Sequence, residues 1–430
     1  MFSLALSRRN AFSTVILFFF AAASVTIFRS WVRSKQYAHK YDAVDWKIAD
    51  LDSRLPTNEH RRIEHISDDL TTADHCVFYN FLRSTDTETT DHEPITLALH
   101  STINYAEHVI KHAENWDDVL SYAIFLFPRH DEALQALAML HKCHDTVNRK
   151  VSIHLVWNRN FLIESCVSDN IVKNIATIPE SLGSCDDFDI ESFVEKLKEV
   201  KVPFGSYPIN VMRNEARRGA ATKLHIIGDI ETQYSPAFAV NVRPLAQQLL
   251  NGYLGKAVLV YRRFELDENE KFPTNLRRFS NLLADKKIVQ FHVKHYRVGH
   301  FIPNLQHWLQ YSLNNDEVTF DNVSYISSEW EPQFIMRHDA PYHYEHVPTR
   351  MTDHQFLCYE LCRAGYSYLL MTHVYNIHPG IKDGATPLEK SLGIYGLAQT
   401  DPTMRKFRAY INARYPIYQK SRCPNWKNYL

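Results

Sequence analysis

Neither sign of charge is in excess: 48 Lys and Arg stand against 49 Asp and Glu, a formal net charge of −1. No basic field therefore marks a nucleic-acid surface, and no acidic surplus marks a solvating tail. Paired C-x-x-C spacing is missing among the seven cysteines (Cys76, Cys143, Cys166, Cys185, Cys358, Cys362, Cys423), which argues against a zinc site. The odd count leaves at least one thiol free if disulfides form. Cys358 and Cys362 lie four apart in an expected helix and read as two small buried side chains. Internal repeats and long low-complexity tracts are absent as well. What remains is 430 residues, 45% hydrophobic and 13% aromatic, enough for one large or two ordinary cores. Function has to be read from sites.

The N-terminus carries Arg8 and Arg9, then 18 uncharged residues from Ala11 to Phe28, closed by Arg29. At about 1.5 Å per residue that run spans roughly 27 Å, near the hydrocarbon thickness of a bilayer. The rival is a cleaved signal peptide, with Ala21 to Ser24 as the cleavage region, but an h-region of about 7–15 residues is shorter than this one. The expectation is a cytosolic tail over 1–10, a retained transmembrane signal anchor over 11–28, a polar stem over 29–75 and a luminal domain over 76–430. Basic residues flank the span on both sides, so charge counting does not fix its orientation. One acceptor sequon occurs, Asn322-Val323-Ser324, as a luminal body would allow.

From Cys76 onward the pattern alternates. EPITLALHS, VLSYAIFLFP and KVSIHLVW read as strands; TINYAEHVIKHAENW, HDEALQALAMLHKCH and DIESFVEKLKEV read as helices. Such alternation predicts βαβ units and a parallel sheet. In KLHIIGDIETQYSP the run Leu224 to Ile227 reads as about the fourth strand, and Asp229 and Glu231 fall past its end, where open α/β sheets place ligand chemistry. Two carboxylates one residue apart in an extended segment point to the same side and offer oxygen ligands to a hard divalent cation. The rival reading is a solvated acidic turn.

The surrounding residues narrow the choice. YPINVMRNEARRGA, a strand and then the acidic triplet resemble the Y-P-x-N-x-x-R-N-x-A-R motif and Asp-x-Asp of the β-1,4-glucuronyltransferase and LARGE C-terminal-domain family, glycosyltransferase family 49. HLVW (154–157), WEP (330–332), VPT (347–349), ELCRAGYSYLLMTHVYNIHPGIK (360–382) and RYPIYQKSRC follow in the family's order, so the resemblance spans residues 92–423. It implies an A-type glycosyltransferase fold, a Rossmann-like mixed sheet flanked by helices, and an inverting, metal-dependent transfer of glucuronic acid or N-acetylglucosamine from a UDP-sugar to a glycan acceptor.

Carried over by position, the resemblance implies that Asp229, Glu231 and His378 hold Mn²⁺ against the UDP-sugar, a donor set suited to that ion. Asn210, Arg213 and Asn214, with Asp229, are expected to bind the donor, while Arg217 and Arg218 read equally well as helix-surface charges. The family's acidic D-E-R-F-like segment after V-P-T is missing, since VPT runs almost directly into RMTDHQFLCYEL. Asp353, with His354 second, is the expected base by position, although Asp353 also reads as a helix N-cap. Golgi membranes, a type II topology, and homo- or hetero-oligomers with other glycosyltransferases complete the expectation. The alternative is a catalytically inactive member that binds nucleotide sugar or another transferase.

Overall fold

The computed structural model describes residues 63–65, 75–86, 91–127, 131–159, 175, 177–186, 188–200, 202, 204–348, 351–415 and 422–426. The expected tail (1–10), anchor (11–28) and most of the stem (29–75) lie outside these. Among the described residues no helix is long and apolar enough to cross a membrane.

The described strands are β1 (Ile63–His65), β2 (His75–Leu82), β3 (Ile95–Thr102), β4 (Leu120–Phe125), β5 (Val151–Asn158), β6 (Leu224–Asp229), β7 (Gln233–Tyr234), β8 (Ala257–Leu266), β9 (Ile288–Gln290), β10 (Phe320–Val323), β11 (Gln333–Arg337) and β12 (Ser367–Pro379). All belong to one sheet, ordered β1-β2-β5-β4-β3-β6-β11-β8-β12-β10, with β7 on β12 and β9 on β8. β3, β4, β5 and β6 run parallel, as the alternation predicts. Every residue of β4 is buried, as is every residue of β3 but the last. Such unbroken apolar runs suit strands covered on both faces.

The sheet is mixed, not wholly parallel. β11 runs antiparallel to both β6 and β8, and β12 is parallel to β8. Two antiparallel steps return β8 to the direction of β6. The carboxyl ends of β3, β6, β8 and β12 therefore share one edge. The strand read as about the fourth is the sixth of the described strands, because an antiparallel pair, β1 and β2, precedes the alternating part among the described residues. One member, β1, lies inside the segment read as stem, with Ile63 opposite Phe78 of β2. Three residues carry no measurable period, which is why the pattern does not reveal it.

The glycine before the acidic pair has a packing cause. A Cβ on Gly228 would stand 2.6 Å from the Tyr234 hydroxyl and 3.1 Å from Leu97 Cδ1, so β6 tolerates no side chain there. Cysteine usage departs from expectation at Cys362, which is bonded to Cys423 and so ties the Asp353–Arg363 helix to the C-terminal segment. Cys143 pairs with Cys185, Cys76 is also disulfide-bonded, and Cys358 is buried as a free thiol.

Candidate functional site at the carboxyl edge of the sheet

Asp229 ends β6 beside His100 of β3, its partner in the parallel ladder. Its Oδ2 accepts a 2.8 Å hydrogen bond from an Nη of Arg263 on β8, and its carboxylate is 35% exposed. Burial alone would raise the Asp229 carboxyl; Arg263, Arg213 and His100 outweigh it and hold the group far below the usual carboxylate range. Beside it, His100 shares a 2.7 Å hydrogen bond between Nδ1 and the Tyr207 hydroxyl, the tyrosine of the YPINVMRN motif. Burial, reinforced by Arg213, pushes His100 down to about 4, so the ring is neutral at physiological pH. Its Nε2 is buried without a partner.

Asp229 and Glu231 do not continue along one extended segment. The Thr232 backbone N–H and hydroxyl both donate to the Asp229 carbonyl, at 3.1 and 2.8 Å, and close a turn. That turn carries Glu231 across to β12, where its Oε2 lies 3.8 Å from His378 Nε2. Glu231 and His378 thus lie near each other, while Asp229 faces a guanidinium. Among the described residues no three acidic, histidine or cysteine side chains form a ready metal cluster. This arrangement suits Mn²⁺ held jointly by Asp229, Glu231 and His378 poorly: Asp229 Oδ2 already faces the Arg263 guanidinium, and Glu231 and His378 alone supply two ligands.

The Ile209–Arg218 helix corrects the expected donor face. Asn210, Arg213 and Asn214 are 1%, 7% and 0% exposed. Asn210 Nδ2 donates to the carbonyls of Tyr344 and Asp353 at 2.9 and 3.0 Å. Asn214 donates to the His343 carbonyl and Glu345 and accepts from the His343 backbone N–H, so its amide is consumed by the 343–345 segment. Arg217 and Arg218 are not surface charges either. Arg217 is 1% exposed and donates to the carbonyls of Arg337, His338, Ala340 and Pro341. Arg218 pairs with Glu215 and, at 3.2 Å, with Glu345. These polar side chains clamp residues 337–345 and Asp353 onto the helix.

Arg213 connects the clamp to the site. Its Nη1 donates to Asp353 Oδ1 at 2.6 Å and to Asn210 Oδ1 at 3.0 Å. Burial works to lower the guanidinium, but Asp353 and Asp229 together raise it on balance. Asp353 is the first residue of the Asp353–Arg363 helix, and its side chain is 12% exposed. The N-cap is Thr352, in the left-handed region at φ 59° with no capping side-chain bond, so the expected capping role of Asp353 gives way to a first-turn carboxylate. His354 is sealed inside: Nδ1 meets His343 Nε2 and Nε2 meets the Pro332 carbonyl, both at 2.9 Å. Burial, with Arg213, pushes it down to about 4. Both of its ring nitrogens are committed, so of the two expected candidates for the base Asp353 alone keeps a partly accessible side chain.

Sequence reading missed Arg263, although the signal was present. VLVYRRFEL places two charges inside an apolar strand, and alternation sends them to opposite faces. Arg262 donates to the carbonyls of Ile302 and Pro303; Arg263 reaches Asp229.

A family model described as "Glycosyl-transferase for dystroglycan" matches residues 94–416, well over half of the chain, and the protein is therefore a glycosyltransferase. The chain belongs to that family, glycosyltransferase family 49. Human β-1,4-glucuronyltransferase 1 is 23% identical over 354 residues, covering 79% of this chain and 80% of the human one. The zebrafish (Danio rerio) protein of the same name is 22% identical over 374 residues, covering 83% and 84%. A crystal structure of GalNAc-T7 with UDP, GalNAc and Mn²⁺ overlays 70% of this chain and 46% of that one, at 7% identity and a TM-score of 0.33, a likeness too partial to bear on the site.

Proposed function

We propose that the protein transfers glucuronic acid or N-acetylglucosamine from a UDP-sugar to a glycan acceptor, with inversion, at the carboxyl edge of an A-type sheet. The observation that supports this most is Arg213, bonded to Asp353 and carrying a charge that acts on Asp229 at that edge, in a chain whose family transfers sugars. In the reaction the bond between the anomeric carbon and the phosphate oxygen breaks, and its electron pair leaves with UDP. The acceptor oxygen bonds to the anomeric carbon from the opposite side, and its proton passes to the Asp353 carboxylate. Arg213 fixes that carboxylate, and Asn210 fixes Arg213. Charge building on the leaving UDP faces the basic side of the site, where it is stabilised most in the transition state.

Full-length protein incubated with a panel of UDP-sugars and glycan acceptors is expected to consume UDP-glucuronic acid or UDP-N-acetylglucosamine and to yield a glycosylated product. Binding of UDP without consumption of any donor would favour the inactive, nucleotide-sugar-binding alternative. The proposed setting is a type II Golgi membrane protein anchored by residues 11–28 and free to assemble with other glycosyltransferases; two disulfides in the described body suit an oxidising lumen. Asn322 supports that topology, since it is exposed on β10, an edge strand among the described residues. Glycosidase treatment should shift the mobility of the wild type and not of Asn322→Gln, whereas modification of Asn322 by cytosolic reagents would contradict luminal exposure.

A further inference from the structure

Arg263 is held more firmly than one ion pair requires. Its residue pairs with Asn376 of β12, and its carbonyl accepts from the Phe291 N–H at 3.1 Å. The guanidinium lies 4.0 Å from the centre of the Phe291 ring, and the side chain is 8% exposed. A guanidinium carries five N–H donors in a rigid fork. One Nη here serves Asp229, and Nε is buried without a partner. A buried cation with unused donors thus stands where ligands bind on an α/β sheet, in contact with the one carboxylate that a divalent ion at this edge would need most.

We propose that Arg263 takes the place of the divalent cation, meeting the diphosphate of a nucleoside diphosphate sugar directly, so that donor binding in this protein needs no metal. The inference rests on the reading that the donor is a UDP-sugar. The guanidinium fork matches two phosphate oxygens at once, which a single Nη–carboxylate contact leaves room for. Asp229 then acts as a positioning residue that aims the guanidinium. A divalent ion brought to Asp229 would share the carboxylate with that guanidinium and be repelled by its charge. During transfer Arg263 stays protonated and forms no covalent bond; it stabilises the negative charge that UDP gains as it leaves.

The test is calorimetric titration of UDP into the full-length protein, once in EDTA and once in Mn²⁺. Wild type is expected to bind UDP in EDTA with a Kd within about twofold of that in Mn²⁺. Arg263→Ala is expected to bind at least about tenfold more weakly in EDTA, the range for a lost hydrogen bond to a charged group. It should also gain Mn²⁺ dependence, because Asp229 is released to bind the ion. Arg263→Lys keeps the charge without the fork and is expected to fall between the two while remaining indifferent to Mn²⁺. A merely structural arginine would lower the melting temperature without creating metal dependence. Wild-type binding that disappears in EDTA would overturn the proposal and leave the donor site standing. UDP bound in neither condition would overturn both.

Discussion

Asp353→Asn is expected to reduce sugar transfer at least about a hundredfold while UDP affinity stays near wild type, the low end of what general-base assistance contributes. Asparagine keeps an oxygen able to accept from Arg213, whose Nη1 lies 2.6 Å from Asp353 Oδ1, but it takes no proton from an acceptor hydroxyl. Capping does not confuse the comparison, since Thr352 occupies the N-cap position. Loss of the charge opposite Arg213 should lower the melting temperature somewhat, which is why transfer per folded molecule is the quantity to measure. Transfer unchanged in the folded variant would exclude Asp353 as base.

Arg217→Met carries the largest expected effect on stability, about 3–5 kcal/mol. Methionine fills most of the volume, but the carbonyls of Arg337, His338, Ala340 and Pro341 lose their shared donor in a buried place. The Tyr342 ring, 4.2 Å from the guanidinium carbon, loses its cation as well. Burial pushes the guanidinium down to about 10, so it remains charged at neutral pH. Urea unfolding measures the loss directly. A change below about 1 kcal/mol would show that the 337–341 segment holds its shape without the cage.

The strands that carry the site were legible in sequence because each is a short, nearly continuous apolar run, and β3, β4, β5 and β6 appear where those runs lie. The order of the family's motifs was legible for the same local reason. What stayed hidden depends on distant segments. Asn210, Arg213 and Asn214 at helical spacing look like a ligand-facing stripe, yet their partners lie 129 to 143 residues further along the chain and bury them. No local period shows that a later loop will cover a polar helix face. Glu231 was misplaced for a smaller reason: alternation assumes extended backbone, and the Thr232 bonds to Asp229 turn the chain at once. Arg263 needed no distant knowledge to attract notice, only the question of why a buried strand carries two arginines. Its partner Asp229, 34 residues away on a strand separated from β8 by β11, became visible only in the assembled sheet.

The most direct test of the donor site is a crystal structure of the full-length protein grown with saturating UDP. The diphosphate is expected at the ends of β6 and β8, within hydrogen-bonding distance of the Arg263 guanidinium and beside Asp229. UDP bound away from that edge, or an edge left empty at saturation, would contradict the assignment.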